Sequence, residues 1–88
     1  KEETIIIPNQ LGMHARSAAA FVKLAAGFSS AIEVEKDGMR VNGKSIMDLL
    51  TIAAAMGTAI TVRAHGTDEG PAIMALASLV RDGFGEHP

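Results

Sequence analysis

A histidine and an arginine two positions apart stand in the segment Leu11-Gly12-Met13-His14-Ala15-Arg16-Ser17, where a loop gives way to a helix-period pattern. A neutral imidazole is a nucleophile near pH 7. The first turn of a helix presents backbone N–H groups without internal partners, and its dipole favours negative charge. A phosphoryl group carried on His14 would meet those donors and the guanidinium of Arg16. Phosphoryl transfer asks mainly for positioning and charge stabilisation, and such a turn supplies both. The plainer alternative is a loop histidine whose ring only caps the helix. His followed two residues later by Arg does not decide between them.

A second stretch invites a phosphate-binding reading. Gly38-Met39-Arg40-Val41-Asn42-Gly43-Lys44-Ser45 matches the P-loop pattern letter for letter. Its context is wrong. Residues 39–42 alternate like a strand, Gly38 belongs to an Asp-Gly turn, and the preceding strand alternates with glutamates. A P-loop normally follows a buried parallel strand. No apolar run ending in aspartate offers a magnesium ligand. Ser45 is better explained as a helix cap, with Asp48 three residues on completing a capping box; such a cap contributes about 0.5–2 kcal/mol.

The elements that must hold these residues follow from apolar periodicity. A short β-branched strand over residues 4–7 is stopped by Pro8, and residues 9–12 form a loop. A helix follows over 16–26, with Ala18, Phe21, Val22 and Ala25 on one face, Arg16 and Lys23 on the other, and Gly27 as its stop. Two alternating strands, 32–35 and 39–42, flank Lys36-Asp37-Gly38, a strong hairpin signal. A second helix is expected over 46–56, a strand over 59–65, and a last helix over 69–82 with Pro71 in its first turn. Ile73, Leu76, Ala77 and Val80 form the last helix's core stripe, with Phe84 beyond. The order is β-α-β-β-α-β-α. Strands apolar on one side only imply an antiparallel sheet covered by helices on one face, an α+β fold, and 88 residues suit a single domain, 1–88.

Composition narrows the function classes. Apolar residues make up 48% of the chain but aromatics only 3%, and the formal charge is −2. That balance disfavours nucleic acid as a partner, and an RNA-binding α/β domain would need exposed stacking aromatics. The longest apolar stretch, six residues from Ala72 to Ala77, is far short of the roughly 20 that cross a bilayer, so a cytoplasmic protein without membrane insertion is expected. Cysteine is absent, which excludes disulfides and thiolate metal sites. His65 at a strand end and His87 in the tail read as solvated. No metal site and no cofactor are expected.

The second helix carries more apolar surface than a core needs. Leu49, Ile52, Ala53 and Met56 form one stripe, and Ile46, Met47 and Leu50 an adjoining one, leaving Asp48 and Thr51 polar. The surplus is either extra burial or a patch for a partner.

Gly12-Met13-His14-Ala15-Arg16 followed by Ser17-Ala18 resembles the active-site signature of the HPr family, the histidine-containing phosphocarriers of bacterial sugar phosphotransferase systems. Lys44-Ser45-Ile46-Met47 resembles that family's second signature, and the spacing, length and element order agree across almost the whole chain. The resemblance implies an HPr-like open-faced β-sandwich with three helices on one face of a four-stranded sheet. It implies that His14 accepts a phosphoryl group from Enzyme I, derived from phosphoenolpyruvate, and passes it to an A-type domain of enzyme II, with Arg16 contacting the phosphate. The chain is then the substrate of transferases rather than a free-standing enzyme, and a monomer. Ser17 departs from the pattern, which usually has proline there. At a first helical position serine restores an N–H and adds a hydroxyl, expected to be one more donor for phosphate.

The resemblance also implies a regulatory role for Ser45, as a target of the HPr kinase/phosphorylase. Asp48 replaces what is often glycine and places a carboxylate beside that phosphate, which disfavours the modification. Residues matching Ile46, Met47 and Leu50 dock partners in the family, and Ala19 and Lys23 would join that surface. The alternative function is a regulatory binding module on the same scaffold, acting through Ser45 and the Ile46/Met47/Leu50 patch. Retention of both His14 and Arg16 favours the carrier.

Overall fold

In the computed structural model, which describes residues 1–86, Asp37 and Gly38 both adopt left-handed backbone angles, φ 51° and 82°. Two such residues in succession give a hairpin turn whose twist matches its strands. They join β2 (Ala31–Lys36) to β3 (Met39–Asn42). The other elements are β1 (Glu2–Ile6), α1 (Ala15–Ala25), α2 (Ile46–Thr51), β4 (Ala59–His65) and α3 (Glu69–Arg81), with a 3₁₀ turn at Gly83–Gly85. The sheet order is β1-β4-β2-β3, and every neighbouring pair is antiparallel.

Strand β4 lies between β1 and β2, so both its backbone edges are hydrogen-bonded and its apolar residues reach the middle of the core. Register fixes which residues share a face. Ile5, Ile60, Val62, Val34, Ile32 and Ala64 line the inner face. Against them pack Ala18, Phe21 and Ala25 of α1, Leu49 of α2, and Ala72, Ile73, Leu76, Ala77 and Val80 of α3. Burying each large side chain contributes about 1.5–3 kcal/mol. The outer face is polar and paired across strands. Arg63 stands between Glu2 and Glu33, and Thr4 opposite Thr61, whose hydroxyls are 2.9 Å apart. Arg63 also reaches Glu35 diagonally at 2.5 Å. That contact holds the Glu35 carboxyl below its ordinary range.

Strands β3 and β4, the hairpin and the stripe of α3 fall where the periodicity put them. Strand β1 is shifted. It starts at Glu2 because Glu2 pairs with Arg63 across the sheet, an interaction that apolar pattern does not register. Ile7 follows the last residue of the strand but is fully buried, its N–H donating to the Thr58 carbonyl and its carbonyl accepting from the Gly57 N–H.

The second helix is the main correction. It stops at Thr51 instead of continuing to Met56, with Ile52 as its C-cap and Ala53 at φ 47°. Two tertiary contacts end it. The Lys36 ammonium donates to the carbonyls of Ile52 and Ala53, at 3.1 and 3.4 Å. The Ala54 carbonyl, beyond the helix end, accepts from the Met13 N–H at 2.8 Å and ties this segment to the loop before α1. Ala53 and Met56 are therefore exposed instead of belonging to the core stripe.

Candidate functional site

The loop before α1 is fixed from both sides. The Asn9 amide donates to the Gly12 carbonyl at 2.8 Å, and the Gly12 N–H donates back to the Asn9 carbonyl at 3.1 Å. Gly12 has φ 65°, and a Cβ there would lie 2.4 Å from the Ala54 carbonyl oxygen. Only glycine fits that close approach of two backbones. Met13 is buried beside it, so the chain leaves the core at His14 and turns into α1.

His14 is the N-cap of α1 in extended conformation, and its Nδ1 accepts the Arg16 N–H at 3.2 Å. The capping role and the electropositive helix start therefore coexist at one residue. The imidazole is half-buried, its side chain 29% exposed, and it borders an open cleft with Arg16, Met56, Phe84 and Glu86. Among the described residues the Arg16 guanidinium forms no ion pair, which leaves its charge available to an incoming anion.

Ser17 does not sit where the expectation put it. It is the third residue of the helix and only 1% exposed. Its hydroxyl accepts the His14 N–H at 2.8 Å and donates to the carbonyls of Gly12 and His14, at 2.9 and 3.1 Å. The hydroxyl is thus committed to the backbone that carries His14, and is not presented to a phosphate.

Two residues of the cleft went unnoticed in the sequence. The chain turns back after α3 through Gly83, Phe84 and Gly85, all at positive φ, and brings Glu86 onto His14. One Glu86 oxygen meets His14 Nε2, and the other accepts from the Asn9 amide at 2.8 Å. The Asn9 donation, more than the histidine, holds the Glu86 carboxyl below its usual range against the opposing effect of burial. The Gly-Phe-Gly run was the available signal, but a contact spanning 72 positions leaves no periodic trace.

Ser45 caps α2 as expected, but the reciprocal half of the capping box is not formed, because the Ser45 N–H donates to the Asn42 carbonyl instead of the Asp48 carboxylate. Its hydroxyl accepts the Asp48 N–H at 3.2 Å and lies 3.3 Å from an Asp48 carboxylate oxygen, while the other oxygen accepts the Asn42 N–H at 3.1 Å. The P-loop match dissolves: Gly38 is in the hairpin turn, residues 39–42 are strand β3, and the Lys44 ammonium donates to the Phe28 carbonyl at 2.7 Å. In α2, Leu49 and Ile52 point inward while Met47 is 73% and Ile46 39% exposed, with Leu50 between. Ala19 and Lys23 are exposed on α1, which packs on α2. Leu11 and Met56 add exposed apolar surface on the cleft side.

The family model described as the phosphotransferase-system HPr component phosphorylation site matches residues 1–82. The chain belongs to the HPr family. It is 46% identical over 85 residues to the phosphocarrier protein HPr of Neisseria meningitidis serogroup A, covering 97% of this chain and 96% of that protein. It is 41% identical over 81 residues to the HPr-like protein Crh of Bacillus subtilis, covering 92% and 95%. The crystal structure of HPr-C-His from Thermoanaerobacter tengcongensis superposes with a TM-score of 0.95 at 48% identity, covering 100% of this chain and 99% of that one. The fold is that of HPr, and the function is that of a phosphocarrier in the phosphotransferase system. Family membership implies partners of that system, such as Enzyme I and A-type enzyme II domains. Among the described residues, no helix is long and apolar enough to cross a membrane.

Proposed function

We propose that His14 is the phosphoacceptor of this carrier and that Arg16 contacts the phosphoryl group. The observation that carries the reading is the direction of the ring. Nδ1 faces the first turn of α1, where the Arg16 N–H lies 3.2 Å away. As Nδ1 attacks phosphorus, the P–N bond forms and the bond from phosphorus to the donor breaks. The Arg16 N–H, a long and easily released hydrogen bond to the ring, then turns to a phosphoryl oxygen. The helix dipole and the guanidinium favour the same anion. Ser17 supports the site from beneath by fixing the backbone of His14.

Enzyme I supplies the phosphoryl group and an A-type enzyme II domain receives it, in the cytoplasm, with residues 1–88 acting as one monomeric HPr domain. The docking surface comprises Ile46, Met47 and Leu50 with Ala19 and Lys23. The exposure of Ile46, Met47, Ala19 and Lys23 supports it. Ser45 is the candidate regulatory position. Its phosphorylation would remove the cap on Asp48 and set a dianion against that carboxylate, so the kinase/phosphorylase is expected to modify it poorly. The test is sequential. Enzyme I and labelled phosphoenolpyruvate should label the chain but not His14→Ala, and an A-type domain should then remove the label. A chain that takes no label is instead a binding module.

A further inference from the structure

We propose that Glu86 is a positioning residue for the relay: its carboxylate, held by Asn9, keeps the proton of the His14 ring on Nε2 in both the free and the phosphorylated protein. The inference rests on His14 being the acceptor. Asn9 uses one amide nitrogen for two tasks, donating to Gly12 in the loop and to Glu86 at 2.8 Å each. The second Glu86 oxygen meets Nε2 directly. A carboxylate accepts hydrogen bonds only, so the ring nitrogen facing it carries the proton. Nδ1, which accepts from Arg16, keeps its lone pair.

That arrangement matters twice. When Nδ1 attacks phosphorus, the ring becomes an N-phosphoryl imidazolium whose positive charge is shared with Nε2–H, and Glu86 lies against it. When the acceptor's nucleophile takes the phosphoryl group, the electron pair of the N–P bond returns to Nδ1. With the proton still on Nε2, the leaving group is neutral imidazole. Without it, the leaving group is imidazolate, a far stronger base and a slower one to expel. The other charged groups at the cleft are Arg16 on α1 and, from the end of α3, Arg81 and Asp82. Arg81 is already paired with Glu3, and the Arg16 charge lies near enough to Glu86 to help hold its carboxyl in the ionised form. No other described carboxylate contacts Nε2.

The experiment uses the full chain, labelled with ¹⁵N in histidine. At a pH where the free ring is neutral, nitrogen shifts should show His14 with its proton on Nε2, and Glu86→Ala should give a mixture of tautomers. Onward transfer from phosphorylated Glu86→Ala to an A-type domain should be slower by about three- to tenfold, the scale of one partly exposed charge-assisted contact. The deficit should widen as pH rises, because the variant's Nε2 loses its proton sooner. Glu86→Gln, which keeps an acceptor but no charge, should fall between. A wild-type ring protonated on Nδ1, or variants with unchanged tautomer and unchanged pH profile, would overturn the proposal. Failure of wild type to be phosphorylated on His14 would instead overturn the acceptor reading.

Discussion

Replacing Ser17 by alanine tests whether the site is built from beneath the histidine. The Ser17 hydroxyl is nearly inaccessible and serves three backbone groups. Their fates differ when it is removed. The Gly12 carbonyl keeps the Asn9 amide at 2.8 Å, and the His14 carbonyl keeps the Ala18 N–H at 2.8 Å. The His14 N–H is left with no partner. One unsatisfied, partly buried donor costs about 1–3 kcal/mol, and the two retained acceptors place this case at about 1–2 kcal/mol. For a domain of this size, 1 kcal/mol moves Tm by roughly 4–8 °C, so Ser17→Ala should melt about 5–15 °C lower. Ser17→Pro loses the same hydroxyl and also the Ser17 N–H that completes the capping box with the His14 ring. That loss offsets the roughly 0.4–1 kcal/mol gained by restricting the unfolded chain. Its Tm should lie close to that of the alanine variant, and it should still accept phosphate. Thermal melts followed by circular dichroism give all three values. If Ser17→Ala melts with wild type, the hydroxyl does not hold the His14 backbone, and the reasoning fails.

Gly12→Ala meets both a left-handed φ and a backbone oxygen that cannot retreat, so it should cost about 3 kcal/mol or more in denaturant unfolding. Gly38→Ala, equally left-handed but with no neighbour in reach, should cost only about 1–2 kcal/mol; equal losses would refute the close approach. Ser45→Ala should lower stability by about 0.5–2 kcal/mol through loss of the α2 cap, and an unchanged midpoint would remove that role. Asp68 accepts from the Ser30 hydroxyl and from the N–H groups of Ser29 and Ser30, which hold its carboxyl at about 2, well below the ordinary aspartate range. A folded-state value below the unfolded one stabilises above the latter, so that contribution should vanish as pH falls from about 4 toward about 2. The acid limb of a stability–pH curve should flatten in Asp68→Asn, and an unaltered limb would contradict the assignment.

How far the sequence revealed this molecule depended on the range of each interaction. The β2–β3 hairpin and β4 were legible because turn chemistry and two-residue alternation act between near neighbours. The stripe of α3 was legible for the same reason, since Ile73, Leu76, Ala77 and Val80 recur with the helical period. The end of α2 was not, because Lys36 and Met13 terminate it from other elements, and Ala53-Ala54-Ala55 has the composition of a good helix. At the site, His14 and Arg16 could be paired from spacing, and Ser45 could be recognised as a cap from Asp48. Ser17 was misplaced by two helical positions, which turned a backbone brace into an expected phosphate donor. Asn9 and Glu86 meet across nearly the whole chain and are joined only by folding.

The proposal that this carrier works through one histidine is tested most directly by phosphorus NMR. The ¹⁵N-histidine-labelled chain would be observed after equilibration with Enzyme I and phosphoenolpyruvate. One phosphoryl signal per chain, coupled to Nδ1 of His14 and absent in His14→Ala, is the expected result. A signal that persists in that variant, or one coupled to another histidine, would contradict it.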